Sequence, residues 1–243
     1  MQTANIGPLN CRVIGNPEQA KLSFILCHGY GAPGTDLVPL AEELISLESS
    51  LADSVAFVFP EAPHDLTDQG MPGGRAWWPI NMMRLQELMQ TNNFEELAES
   101  EPPGMPEARE QFREFLTEYQ TLSSHQLSEI ILGGFSQGAM LTSDATLRLP
   151  ESPAGLCIYS GTLLCKKEWQ KLAPNRAGLP VIQAHGTMDP ILPFPMAEEL
   201  RDLLKNAGLV VNFHAFPGMH TISWDALEMT VEMLKQTLAH SAI

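Results

Sequence analysis

Apolar positions along the chain fall into two alternating rhythms. Short, nearly uninterrupted runs occur at Cys11 to Ile14, Leu22 to Cys27, Val55 to Phe59, Ile130 to Leu132, Ala154 to Tyr159, Pro180 to Ala184 and Leu209 to Phe216. Their length suits strands, and the uniformly apolar ones suit parallel strands covered on both faces. Between them the spacing changes to that of helices with one buried face. Leu37, Leu40, Ala41, Leu44 and Leu47 form one such face, with Asp36 placed as N-cap; Ala108, Phe112, Phe115, Leu116, Tyr119 and Leu122 form a second. A third helix is predicted from Ser136 to about Leu149, where Pro150 stops it. Met196, Leu200, Leu203, Leu204 and Ala207 mark a fourth, ended by Gly208 at the C-cap position, and Leu227, Val231, Leu234 and Leu238 mark the last. Strands alternating with helices, without a compositional break, predict one α/β domain over residues 1–243 on a doubly wound, mostly parallel sheet.

One stretch breaks the rhythm. From Glu61 to about Pro106, Pro63, Pro72, Pro79, Gly73-Gly74 and Pro102-Pro103-Gly104 interrupt short helical pieces around Leu85, Leu88, Met89, Phe94 and Leu97. This is too long for a connecting loop, and it is rich in Trp and Met (Trp77, Trp78, Met82, Met83). A lid-like binding insertion at 61–106 is the expectation, with Trp77, Trp78 and Met82 as substrate contacts; the equal alternative is that these side chains only pack on the core.

Charge and cysteine usage narrow the partners. The 14 basic and 29 acidic residues leave a net charge of -15, which repels phosphate backbones and anionic lipid surfaces, so no nucleic acid is expected. No basic segment followed by an apolar one opens the chain, and no apolar run approaches the ~18 residues of a spanning helix. The expectation is a soluble, cytoplasmic protein without stable membrane insertion. Cys11, Cys27, Cys157 and Cys165 show no C-x-x-C spacing and read as buried thiols, with a Cys157–Cys165 disulfide left open. The seven histidines are scattered, and neither metal nor cofactor is expected.

Gly134-Phe135-Ser136-Gln137-Gly138 is a G-x-S-x-G sequence directly after a strand and directly before a helix. In that context the serine sits on a sharp turn that projects its hydroxyl above the sheet, where it serves as a nucleophile. A serine nucleophile needs a base, and the base needs an acid to orient it. Asp189, after the strand ending at Ala184, and His220, after the strand ending at Phe216, follow Ser136 in the order the motif requires. Singly, Asp189-Pro190 reads as a turn and His220 as a cap; the joint pattern favours catalysis. The backbone N–H groups of Gln137 and of Tyr30, in the glycine-rich loop His28-Gly29-Tyr30-Gly31, are the expected oxyanion donors. His28 and His185 open tight turns and read as holding loop backbone. His214 lies mid-strand, His125 in a polar connection and His240 in the tail, and His64 is the lesser candidate for a substrate contact.

Together with Leu26-Cys27-His28-Gly29-Tyr30-Gly31, Phe59-Pro60-Glu61-Ala62-Pro63, Arg75-Ala76-Trp77-Trp78, His185-Gly186-Thr187-Met188-Asp189-Pro190 and Gly218-Met219-His220, the serine motif resembles the phospholipase/carboxylesterase branch of the α/β-hydrolases, which includes acyl-protein thioesterases. The resemblance runs from Leu26 to His220. It departs at Tyr30, where Leu is common, at Ala139, where Gly often stands, and in a His220 motif shorter by one residue. It implies the α/β-hydrolase fold, a Ser136–Asp189–His220 triad, the Tyr30 and Gln137 oxyanion hole, and hydrolysis of a small acyl ester or thioester without metal or cofactor. Related folds often dimerise, which leaves a homodimer open. The competing expectation is a non-catalytic binding protein whose insertion forms an acyl or partner groove.

Overall fold

The structure, a computed structural model, describes residues 1–91 and 93–240, with the side chains of Met82, Gln86 and Met89 outside that description. Its centre is a sheet of β1 (Gln2–Ile6), β2 (Leu9–Ile14), β3 (Leu22–Cys27), β4 (Val55–Pro60), β7 (Ile130–Phe135), β8 (Gly155–Tyr159), β9 (Pro180–Gly186) and β10 (Val210–Phe216). Among the described residues these eight strands lie in the order β1-β2-β4-β3-β7-β8-β9-β10. From β4 to β10 all pairs are parallel; β1 with β2 and β2 with β4 are antiparallel. A separate two-stranded ribbon, β5 (His64–Asp65) with β6 (Arg75–Ala76), lies in the insertion.

The apolar runs alternate between two cores. On β3, Phe24 and Leu26 face a core with α1 (Pro39–Leu47) and α9 (Trp224–His240), and Ile25 and Cys27 face a core with α5 (Met105–Ser123), α6 (Gln137–Arg148) and α8 (Phe194–Asn206). Burial on both faces is why all six residues of β3 and of β4 are buried, as the uniform runs predict. The small helices α2 (Leu51–Ser54) and α7 (Lys166–Leu172) complete the layers. In the insertion, α3 (Met82–Gln90) and α4 (Phe94–Glu99) pack on each other, and α4 packs on α7.

Several expectations need correction. Asp36 does not cap α1: the helix opens at Pro39 after Val38, without a side-chain cap bond. Proline's fixed φ starts the helix there, and Asp36 is left in the preceding turns. Leu122 is exposed rather than part of the buried face of α5. His125 is buried: its Nδ1 lies 2.7 Å from Ser23 Oγ and its Nε2 donates to the Ala20 carbonyl at 2.9 Å. All four cysteines are buried free thiols, and burial pushes those of Cys11, Cys157 and Cys165 up to about 12. Among the described residues, no helix is long and apolar enough to cross a membrane.

The Asp144 carboxylate is wholly enclosed. Asp144 of α6 accepts from Arg109 Nε, from Arg148 Nε at 3.1 Å and from Trp169 Nε1 at 2.8 Å, tying α5, α6 and α7 together. Removing a fully buried partner strands the opposite charges, at a cost of about 3–5 kcal/mol, whereas losing a half-exposed partner costs much less. Asp144→Ala is therefore expected to lower the urea midpoint strongly and Arg148→Ala only slightly. Equal losses would show that the enclosed carboxylate does not hold the three helices.

Candidate active site

The turn between β7 and α6 carries Ser136 at φ 55° and ψ -119°, a conformation L residues rarely adopt. Two close approaches impose it. A Cβ on Gly134 would lie 2.3 Å from the Gly138 carbonyl carbon, and one on Gly138 would lie 2.1 Å from the Cys27 carbonyl oxygen. Only glycine at both positions lets α6 start directly over the end of β3. The Ser136 N–H donates to the Tyr159 carbonyl at 2.9 Å, so the turn is also held from β8.

The loops after β9 and β10 bring Asp189 and His220 together. A Cβ on Gly186 would lie 2.2 Å from the Met219 carbonyl oxygen, and the N–H groups of Thr187 and Met188 donate to the Phe216 and Gly218 carbonyls at 2.9 and 3.0 Å. His220 Nδ1 lies 2.6 Å from Asp189 Oδ2, while Asp189 Oδ1 accepts from the N–H groups of Ile191 and Leu192 at 2.8 and 2.9 Å. Burial alone would raise the Asp189 carboxyl, but these donors, His220 first, outweigh it and hold the group below its ordinary value. A carboxylate can only accept, so the His220 Nδ1–H donates to it. The ring packs against Phe135, with centroids 4.8 Å apart.

Two residues support this pair without having been singled out for it. Ser160 Oγ donates to the Thr221 carbonyl at 3.1 Å, fixing the chain next to His220. His185, fully buried, donates from Nε2 to the Leu192 carbonyl at 2.8 Å and lies 3.3 Å from Asp189 Oδ2. Burial lowers its pKa, which keeps it a neutral brace rather than a competing base. Its backbone-holding role is the one expected from sequence.

The glycine-rich loop is braced from the insertion. His28 Nε2 accepts from the Ala62 N–H at 3.0 Å, its Nδ1 donates to the Gly29 carbonyl at 2.9 Å, and its own carbonyl accepts from Trp77 Nε1 at 2.9 Å. Both nitrogens of the neutral ring are thereby used, and burial lowers its pKa accordingly. Glu61 pairs with Arg75 at 3.0 Å and with Arg12 at 3.3 Å beneath this loop. The Gln137 side chain, wholly buried, accepts from the Trp77 N–H and donates to the Trp78 carbonyl, both at 2.9 Å. The Gln137 backbone N–H, first in α6, has no intrahelical acceptor.

Ser136, His220, Gln137 and Tyr30 line one cleft of about 420 Å3. Its far wall is largely apolar, with Ile80, Leu88, Leu97, Met140 and Leu164 among its residues, and its rim carries the Arg84–Glu96 ion pair. Trp78 lines it, but Trp77 does not; it lies beneath, holding the His28 carbonyl. His64 is also away from the cleft, exposed on β5, where its backbone is committed to the ribbon with β6. Met82 opens α3, and its side chain lies outside the described residues.

Known proteins can now be set beside this geometry. The family described as Phospholipase/Carboxylesterase matches residues 9–238. Acyl-protein thioesterase 1 of Eremothecium gossypii is 29% identical over 231 residues, covering 93% of this chain and 92% of its own. Its Candida albicans counterpart is 29% identical over 232 residues, with coverages of 92% and 95%. The crystal structure of esterase PE8 aligns with a TM-score of 0.76 at 26% identity, over 94% of this chain and 99% of its own. A Bacillus cereus carboxylesterase shares the fold, with a TM-score of 0.72 at 22% identity over 95% of each chain. With a family match spanning nearly its whole length, the chain belongs to the phospholipase/carboxylesterase family of serine hydrolases.

Proposed function

We propose that the protein is a carboxylesterase that cleaves oxyesters and thioesters of apolar acyl groups through an acyl-enzyme on Ser136. One observation carries this reading. A serine held at positive φ on a strand–helix turn opens into the same apolar cleft as a histidine whose other nitrogen is fixed by a buried carboxylate. In the first step His220 Nε2 takes the Ser136 proton as Oγ attacks the carbonyl carbon. Negative charge grows on the carbonyl oxygen and is met by the backbone N–H groups of Tyr30 and Gln137. His220 then returns the proton to the leaving alcohol or thiol, and water repeats the sequence on the acyl-enzyme. Thioesters stand beside oxyesters because the relatives named acyl-protein thioesterase 1 align along most of both chains.

Ser136→Ala removes the nucleophile, so hydrolysis of p-nitrophenyl esters falls by roughly five to six orders of magnitude and fluorophosphonate labelling disappears. Retained turnover would end the assignment. Ser136→Gly is equally inactive yet relieves the strained φ, so its unfolding free energy is expected to rise by about 1 kcal/mol in urea titrations.

Asp189→Asn is expected to lower kcat by roughly three to four orders of magnitude through loss of the productive tautomer. Its effect on stability has a definite sign. The folded carboxyl lies below its ordinary value, so its contribution is present above the ordinary carboxylate range and is lost as pH falls through the folded value. Wild type should exceed Asp189→Asn in stability at neutral pH and converge with it in acid; a gap that widened in acid would contradict the assigned ionisation.

In a series of p-nitrophenyl esters, kcat/KM is expected to rise with acyl length until the cleft is filled, by up to about 0.8 kcal/mol per methylene. Ile80→Trp fills part of the wall and should move the optimum to shorter chains. An unchanged optimum would remove that wall from the acyl site.

A further inference from the structure

An ester bonded through Ser136 has two ends, and the apolar cleft accounts for one of them. The other end leaves as an alcohol or thiol and takes its proton from His220, so it lies on the His220 side of the breaking bond. A second, open groove of about 380 Å3 borders His220 and shares that residue and Phe135 with the acyl cleft. Its base is formed by Leu37 and Leu40 with Leu227, and its rim by Asp36, Glu43 and Trp224.

The chemistry of the rim differs from that of the acyl cleft. No lysine or arginine lines the groove among the described residues, and neither Asp36 nor Glu43 belongs to an ion pair there. Trp224 is 53% exposed, unusual for so large an aromatic, and its Nε1 donates to Glu228 Oε1 at 3.1 Å. That bond orients the indole and adds a third carboxylate nearby. Unpaired carboxylates and an exposed aromatic face attract one ligand class in common, a cation with an apolar shell.

We propose that this groove is the leaving-group subsite and that it selects alcohols or thiols bearing an ammonium group near the reacting atom. The proposal rests on the hydrolase reading given above. In the step it serves, the bond from Ser136 Oγ to the carbonyl carbon forms and the bond from that carbon to the leaving oxygen or sulfur breaks. The bonding pair stays on the leaving atom, which accepts the His220 Nε2 proton while the cationic group sits between Trp224 and the two carboxylates.

Two butyrate esters test it, one of choline and one of 3,3-dimethylbutanol, which has the same shape with carbon in place of the charged nitrogen. The choline ester is expected to show kcat/KM about tenfold higher at low ionic strength. The ratio should shrink as salt is added, and approach one in the Asp36→Asn, Glu43→Gln double variant and in Trp224→Ala. Equal values for the two esters in wild type, or a ratio unmoved by these substitutions, overturns the subsite while leaving the hydrolase intact. Fluorophosphonate labelling without hydrolysis of the choline ester also overturns it. Absence of labelling together with absence of turnover overturns the underlying hydrolase reading instead.

Discussion

The rest of the site depends on one steric constraint, the contact of α6 with the end of β3. With a Cβ on Gly138 only 2.1 Å from the Cys27 carbonyl oxygen, the helix can begin where it does only because no side chain intervenes. That approach puts the first amide of α6 beside the loop after β3, and it forces the residue between strand and helix to positive φ. Tyr30 and Gln137 come from two segments far apart in the chain, yet both line the cleft because backbone packing, rather than flexible side chains, brings the segments together. The strain at Ser136 is one part of that arrangement, held by glycines on either side and by β8 from below.

Around this contact the buried polar groups form several separate braces. His185 and the amides of Ile191 and Leu192 converge on Asp189, His28 holds Ala62, and Asp144 gathers two arginines and an indole behind α6. Each is a buried polar group whose partners are supplied locally, so it contributes rigidity without leaving an unmet charge. Burial lowers the pKa of the two histidines that begin His-Gly turns, and among the described residues His220 is the histidine that lines the cleft.

How much could be read in advance follows from how local each signal was. The parallel strands and the long helices were legible because continuous apolar runs and one-sided periodicity are properties of a single segment. β1 was not, since Gln2–Ile6 is an edge strand with mostly exposed side chains, and α7 was not, since one Trp169 supplies its buried contact. Ser136, Asp189 and His220 stood out through a motif and an order of strand ends, which topology turns into proximity. Ser160 has no such mark: its part in holding Thr221 appears only once β8 lies beside β9. The two readings of Trp77 stayed equal in the sequence because composition cannot tell a tryptophan in a wall from one beneath it, and its burial under the loop fits the packing one. The cleft lining itself joins Ile80, Met140 and Leu164, three positions that no sequence window contains together.

The Gln137 side chain grips the backbone of Trp77 and Trp78, and at the other end of the insertion the Cys165 N–H donates to the Ser100 carbonyl at 3.0 Å. The span between these two clamps is tied to the domain at both ends and packs on α7 through α4 between them. The residue that opens α6 therefore has two duties: its backbone begins the helix, and its side chain fixes the stretch from which the apolar wall of the cleft departs.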